Sequence, residues 1–135
     1  MIVDNLDDWS KTYEHSSNLT FDTGNSQYTN GDPSRVMRKT ASNEYIIWRR
    51  VGMTSFQAIA YFWPYESVSH FSIYTSADGT SWMLSQPEIS SLGGDWLEYI
   101  YTLNGLSNVN YVKMVWNNTS GQAWSPELGV VTITY

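Results

Sequence analysis

The sequence predicts an all-β protein, an antiparallel β-sandwich, on three observations. Apolar and polar residues alternate in short runs, turn-forming pairs such as Asn-Gly, Asp-Gly and Gly-Gly separate the runs, and no stretch carries the apolar stripe of a helix. Strands at this density, without intervening helices, favour a sandwich over a parallel α/β fold. With 135 residues, 41% of them hydrophobic, we expect one domain over residues 1–135 with its own core.

Six strands are predicted from the alternation. In chain order they are Glu44 to Arg50, Ser55 to Trp63, His70 to Ser76, Trp96 to Leu103, Tyr111 to Asn117 and Val130 to Tyr135. A short helical turn is predicted from Pro87 to Leu92, because proline commonly opens such a segment and the following Gly93-Gly94 pair would close it.

Alternation also assigns each side chain of a strand to one of two faces. In the second predicted strand, the small and apolar set is assigned to the core: Phe56, Ala58, Ala60 and Phe62. The outward sets of three strands contain Gln57, Tyr61, Trp63, Tyr74 and Lys113. Aromatic rings with polar tips, beside hydrogen-bonding side chains on an outer sheet face, predict a ligand surface.

Composition and charge exclude several classes of partner. The chain has 7 Lys and Arg against 13 Asp and Glu, a formal charge of -6, which disfavours nucleic acid and anionic membrane surfaces. The absence of cysteine excludes disulfides, thiolate metal sites and cysteine nucleophiles. Abundant Ser, Thr, Asn and Gly, with only 15% charged residues, are typical of extracellular bacterial modules. Since no signal peptide is recognisable, we expect a segment of a longer secreted chain, with Met1 added for expression.

Several segments together resemble a known family. FSIYTSADGTSW, DWLEYIYTL, NVNYVKMVW and WSPELGVVTITY resemble the second half of galactose-binding-like jelly rolls, the discoidin-like superfamily, which includes many non-catalytic carbohydrate-binding modules. DDWSKTYEHSSNLTFDTG, GDPSRVMRKT and NEYIIWRR are similar to modules of large secreted bacterial enzymes that degrade polysaccharides, among them xanthan-type gums. The resemblance implies a jelly-roll sandwich, often with structural calcium, that binds sugar at its end loops or on a concave sheet face.

Catalytic constellations are not recognisable in the chain. Only His15 and His70 could serve as a histidine base, and neither lies in the context of a nucleophile elbow. Most carboxylates fall in predicted loops, and no nucleotide-binding or metalloprotease motif is present. The resemblance therefore implies a monomeric, non-catalytic module, covalently linked to a glycoside hydrolase or polysaccharide lyase and targeting it to a branched acidic gum such as xanthan. An adhesion or protein-interaction domain of the same fold, and a small glycan-cleaving enzyme, stay open as alternatives.

A calcium site is predicted in the loop between Phe21 and Asp32. Calcium takes six to eight oxygen ligands and accepts carbonyls from irregular loops, and this loop contains Asp22, Asn25 and Asp32. The resemblance allows a further ligand, Glu127, near the last strand. Ordinary turn chemistry is the alternative, because turns are built from Asp, Asn and Gly.

The predicted carbohydrate-binding residues combine the outward sheet set with two loop tryptophans and the strand cations. Trp63 ends the outward set of Gln57 and Tyr61 and lies in the cluster YFWPY. Trp124 lies in SGQAWSP, and for each ring both burial and stacking on a pyranose stay open. Arg49, Arg50 and Lys113 could select an anionic sugar, whereas pairing with internal acids is the alternative. The predicted set is Gln57, Tyr61, Trp63, Tyr74, Lys113, Arg49 and Trp124.

Overall fold

A computed structural model describes all 135 residues, which form twelve strands and one 3-10 turn. The strands are β1 (Ile2–Asp4), β2 (Glu14–His15), β3 (Leu19–Asp22), β4 (Arg35–Arg38), β5 (Tyr45–Arg49), β6 (Ser55–Phe62), β7 (Ser72–Ser76), β8 (Met83–Leu84), β9 (Glu88–Gly93), β10 (Leu97–Leu103), β11 (Tyr111–Val115) and β12 (Glu127–Thr134). The 3-10 turn covers Ser26–Thr29 between β3 and β4. No helix in the structure has the length and apolar character needed to cross a bilayer.

The strands form two antiparallel sheets that pack as a sandwich. The seven-stranded sheet has the order β3-β4-β12-β6-β10-β9, with β1 also paired to β12. The five-stranded sheet has the order β2-β5-β11-β7-β8. The predicted all-β antiparallel sandwich is therefore confirmed.

The core lies between the inner faces of the two sheets. Phe56, Ala58, Ala60 and Phe62 of β6 are buried there, as the alternation predicts. Trp48 is also fully buried, and its indole N–H donates to the Asp4 carboxylate at 3.0 Å, so the one polar group of the ring keeps a partner.

The six predicted strands correspond to β5, β6, β7, β10, β11 and β12, with ends shifted by up to three residues. The helical turn predicted from Pro87 to Leu92 is wrong. These residues enter the edge strand β9, which pairs with β10. A proline just before an edge strand disturbs no ladder hydrogen bond, and the Gly93-Gly94 pair forms the turn into β10 rather than a helix cap.

Loops from both halves of the chain meet at one end of the sandwich. The backbone N–H of Trp63, just after β6, donates to Ser125 Oγ at 3.0 Å. The backbone N–H of Trp96, just before β10, donates to the carbonyl of Tyr28 in the 3-10 turn at 3.1 Å. These two bonds bring segments distant in sequence to the same place.

Candidate functional site

A pocket of about 720 Å³ lies among these loops. Its wall is aromatic. Trp63 and Trp124 are 5.0 Å apart between ring centroids, Trp96 lies 5.6 Å from Trp124, and Tyr65 lies 5.6 Å from Trp63. All three tryptophans are half-buried, and Tyr65 is 81% exposed. The rings therefore form a continuous wall that keeps part of its surface open to solvent. We call this the loop pocket.

A buried arginine holds the loop that carries Trp124. Arg38 is completely buried, although it is a charged residue. Its guanidinium donates to backbone carbonyls on two segments, those of Ser42, Asn118, Gln122, Ala123 and Ser125. Since these bonds use the rigid five-donor fork of arginine, they order an irregular loop that has no sheet partner.

Trp96 and Tyr28 are positioned by the contact between the 3-10 turn and the start of β10. Besides the backbone bond between them, the Asn30 side-chain amide donates to Glu98 Oε1 at 3.0 Å. Asn30 has a positive φ of 52°, which asparagine tolerates better than most residues. Tyr28 and Trp96 consequently line the loop pocket together, and the exposed Asp95 lines it as well.

The floor of the loop pocket is a buried ionic cluster around Arg35. The Arg35 Nε donates to Glu127 Oε1 at 3.0 Å, and one terminal nitrogen lies 3.3 Å from Asp22 Oδ2. The remaining donors reach the backbone carbonyls of Asp32 at 2.8 Å and Gly24 at 2.5 Å. Arg35 is 1% exposed, so its charge is fully engaged inside the protein.

The protonation of this cluster is unusual. Burial, and then the adjacent Asp22 carboxylate, raise the pKa of Glu127 to about 8, while the Arg35 guanidinium acts in the opposite direction. Glu127 therefore holds its proton to a higher pH than an ordinary glutamate does.

The four predicted calcium ligands do not fit a calcium ion. Asp22 and Glu127 surround the guanidinium of Arg35, which occupies the position of a cation and would repel a second one. Asp32 lies elsewhere, accepting from Tyr61 and Ser34, and Asn25 is an exposed residue in left-handed conformation. No group of three or more His, Asp or Glu side chains in the chain is arranged to hold a metal. Calcium at another position stays a prediction.

The three-residue spacing of Asp32 and Arg35 predicts a local salt bridge between their side chains, and this prediction is wrong. Arg35 binds the backbone carbonyl of Asp32, and its ion pairs are with Asp22 and Glu127. The Asp32 carboxylate instead accepts the hydroxyl of Tyr61 at 3.1 Å. Burial is the main reason why the pKa of Asp32 lies above its usual value.

The predicted platform of Tyr61, Trp63 and Tyr74 is wrong as a single surface. Tyr74 belongs to β7 in the five-stranded sheet, whereas Tyr61 and Trp63 belong to β6 and its end in the other sheet. Tyr61 points outward but is only 4% exposed, because the loop bearing Asp32 covers it. Gly129 of β12 permits this cover, since a Cβ there would lie 2.9 Å from the Tyr61 ring.

The other predicted sugar-binding residues separate into three places. Trp63 and Trp124 meet in the loop pocket. Gln57 is exposed on the outer face of the seven-stranded sheet. Tyr74, Lys113 and Arg49 lie on the five-stranded sheet, where Lys113 lines a second cavity.

Several pocket residues are absent from the predicted set. Trp96 is predicted only as the first residue of a strand, and Tyr28 and Asp95 are assigned to no site. Trp96 and Asp95 directly follow the Gly93-Gly94 pair, which is typical of a turn before a strand. Residues next to such a turn lie at the end of a sheet, so this position could have indicated a place in the loop pocket. No local signal marks Tyr28, because it reaches the pocket through a contact between distant segments.

The similarity of the chain to known proteins is a similarity of fold. No family model matches the chain, and no curated protein is significantly similar to it. Among solved structures, CBM35 from Paenibacillus barcinonensis is similar with a TM-score of 0.54 and 18% identity, over 100% of this chain and 99% of that one. A family 35 carbohydrate binding module from Clostridium thermocellum is similar with a TM-score of 0.53 and 15% identity, over the same shares. The predicted jelly-roll form of the sandwich is confirmed by this likeness.

Proposed function

We propose that the chain is a non-catalytic carbohydrate-binding module whose loop pocket binds a sugar chain. The observation that carries this proposal is the partly exposed wall of Trp63, Trp96, Trp124 and Tyr65 in a 720 Å³ pocket. The apolar C–H faces of pyranose rings stack on such rings, and neighbouring polar groups bind the hydroxyls. Both solved structures with a similar fold are themselves named as carbohydrate-binding modules.

The two carboxyl groups in the floor of the pocket support binding rather than hydrolysis. A glycosidase needs two carboxyl groups that flank the scissile bond across an open cleft, about 5 to 9.5 Å apart. Asp22 and Glu127 are instead adjacent, and both are engaged by Arg35. Glu127 is only 3% exposed, so it has little access to a glycosidic oxygen.

The charge of the loop pocket favours a neutral sugar unit. Its only cation, Arg35, is paired within the floor with Asp22 and Glu127, while the exposed Asp95 contributes negative charge. A carboxylate on the ligand would meet this negative potential without a compensating cation. We therefore assign the pocket to neutral units of a polysaccharide, including those of a branched gum such as xanthan.

The proposal includes the context of the chain. We assign it to a longer secreted protein in which a glycoside hydrolase or polysaccharide lyase is covalently attached. Binding would hold that enzyme beside its polymer and raise its effective concentration there. Removing the module from such a chain should lower the rate on insoluble polymer more than the rate on soluble oligosaccharides.

Affinity electrophoresis against neutral glucans, mannans and galactans, run beside a reducing-sugar assay, tests the binding role. We expect retardation without product release. Trp63→Ala should weaken binding about 30-fold, equivalent to about 2 kcal/mol, as loss of a central aromatic contact does. The matched control is Tyr135→Ala, which removes an exposed ring outside the pocket and should leave retardation unchanged.

Two results would contradict the proposal. Release of reducing ends would indicate an enzyme. Absence of retardation in every gel, with the protein folded, would favour the adhesion or protein-interaction alternative.

A further inference from the structure

A second concave surface lies on the outer face of the five-stranded sheet. It has a volume of about 410 Å³ and shares no residue with the loop pocket. Its aromatic side chains come from β5, β11 and the segments beside them: Tyr13, Tyr45, Trp82 and Tyr111. We call this surface the sheet groove.

One wall of the sheet groove is built on a tight turn. The Asp78 Oδ1 accepts the backbone N–H groups of Thr80 and Ser81, both at 2.9 Å. Gly79 in this turn has a positive φ of 81°, and a Cβ there would lie 3.0 Å from the ring of Tyr111. The ring of Tyr111 thus packs directly on the backbone of the turn, which fixes its orientation in the groove.

Lys113 supplies a cation that the protein does not neutralise. Its ammonium lies 4.5 Å from the centroid of Trp82 and 5.3 Å from that of Tyr74. No carboxylate oxygen lies within 4 Å of the ammonium, and both ion pairs in the chain belong to Arg35. The half-buried ammonium therefore lies over two aromatic faces with no carboxylate partner.

Two acids, Glu14 and Asp78, line the groove as well, and both accept hydrogen bonds from the protein's own donors. Glu14 accepts the hydroxyl of Tyr45 at 2.6 Å, and hydrogen bonds from its turn lower the pKa of Asp78. A second cation, Arg49, lies 5.6 Å from the centroid of Tyr111 and donates only its Nε to a side chain, the Tyr111 hydroxyl. Lys113 and Arg49 therefore keep donors that a ligand can use.

We propose that the sheet groove is a second carbohydrate subsite, for an acidic sugar unit. Its carboxylate, as in a uronate, faces the Lys113 ammonium, and its ring lies against Trp82 and Tyr111. This subsite does not depend on the loop pocket, because the two surfaces belong to different sheets and share no residue.

The test is an NMR titration with a galacturonate trisaccharide and with its fully methyl-esterified form, which carries no charge. The indole N–H signals of Trp82 and Trp63 report on the two surfaces separately. We expect the charged trisaccharide to shift the Trp82 signal, and the ester to shift it much less. Lys113→Met, which keeps the apolar stem, should weaken the response at least five-fold. Lys39→Met removes the same charge from an exposed position outside both surfaces and should leave the response unchanged.

Raising the salt concentration from about 0.05 to 0.5 M should weaken the interaction, because the ammonium is only half-buried. A Trp82 signal that does not respond to the charged trisaccharide, or responds equally in Lys113→Met, overturns the second subsite. Retardation by neutral polysaccharides would then still support the loop pocket, so failure of one proposal is separable from failure of the other.

Discussion

The loop pocket and the sheet groove are both lined by aromatic rings, but their cations differ in burial and in pairing with carboxylates. In the loop pocket the cation, Arg35, is buried and paired with Asp22 and Glu127. In the sheet groove the cation, Lys113, is half-exposed and has no carboxylate partner. The comparison teaches that accessible charge, rather than the number of charged residues near a cavity, decides which ligand a surface favours.

The two cations also have different structural consequences. A buried arginine with two carboxyl partners belongs to the framework, because removing it leaves uncompensated groups in a dry environment. A partly exposed lysine over aromatic rings contributes little to stability and remains available to a ligand. Mutations at the two positions should therefore separate folding from binding.

The largest expected effect is that of Arg35→Met. It leaves the Asp22 and Glu127 carboxyl groups and two backbone carbonyls without their donor, and should cost about 3 to 5 kcal/mol of unfolding free energy. Urea denaturation followed by tryptophan fluorescence measures it. Arg50→Met is the control, since Arg50 is exposed, and should change stability by less than about 0.5 kcal/mol. An Arg35→Met protein of nearly unchanged stability would contradict the framework role.

A smaller effect is expected for Glu127→Gln, and it should depend on pH. Because the folded-state pKa of about 8 lies above the ordinary glutamate pKa of 4.5, the stability that comes from protonated Glu127 is complete below pH 4.5. It is lost as the pH rises through about 8. Glutamine imitates the protonated form, so the variant should gain on the order of a few kcal/mol relative to the parent between pH 4.5 and 9.

Denaturation of both proteins over this pH range measures the difference. Glu66→Gln, which removes a carboxylate outside the Arg35 cluster, is the control and should follow the parent. If the difference between Glu127→Gln and the parent is constant with pH, Glu127 does not titrate in the way the buried cluster requires.

The smallest expected effect is that of calcium on the loop around Asp22. Since Arg35 already neutralises this site, calcium should not act through Asp22, and any change in melting temperature between chelator and added calcium should be the same in the parent and in Asp22→Asn. A calorimetric scan under both conditions measures it. A rise in melting temperature with calcium would indicate a metal site at another position, or one that displaces Arg35.

Those parts of the fold that depend on local pattern could be predicted from the sequence. The inward set from Phe56 to Phe62 follows from the two-residue period of a strand, which needs no knowledge of neighbours. The burial of Tyr61 on the other face does not follow from this period, because it depends on a loop that covers the ring and on Gly129 of an adjacent strand. The sequence therefore predicts which side chains point away from the core, but not which of these are exposed to solvent.

The candidate site shows the same division. Trp63 and Trp124 could be selected because turn residues surround them in the sequence. The partners of Arg35 could not, since sequence spacing pointed to Asp32, whereas Glu127 lies 92 residues along the chain. The charge of a pocket thus depends on long-range pairing that a single sequence does not reveal.

The most direct test of this account is calorimetric titration of the parent protein, Trp63→Ala and Lys113→Met with a neutral and an acidic oligosaccharide. The account predicts a crossed result: Trp63→Ala weakens binding of the neutral ligand about 30-fold and leaves the acidic one unchanged, while Lys113→Met does the reverse, with at least a five-fold loss. If either substitution weakens both ligands equally, the two surfaces do not differ in ligand charge, and the central claim is contradicted.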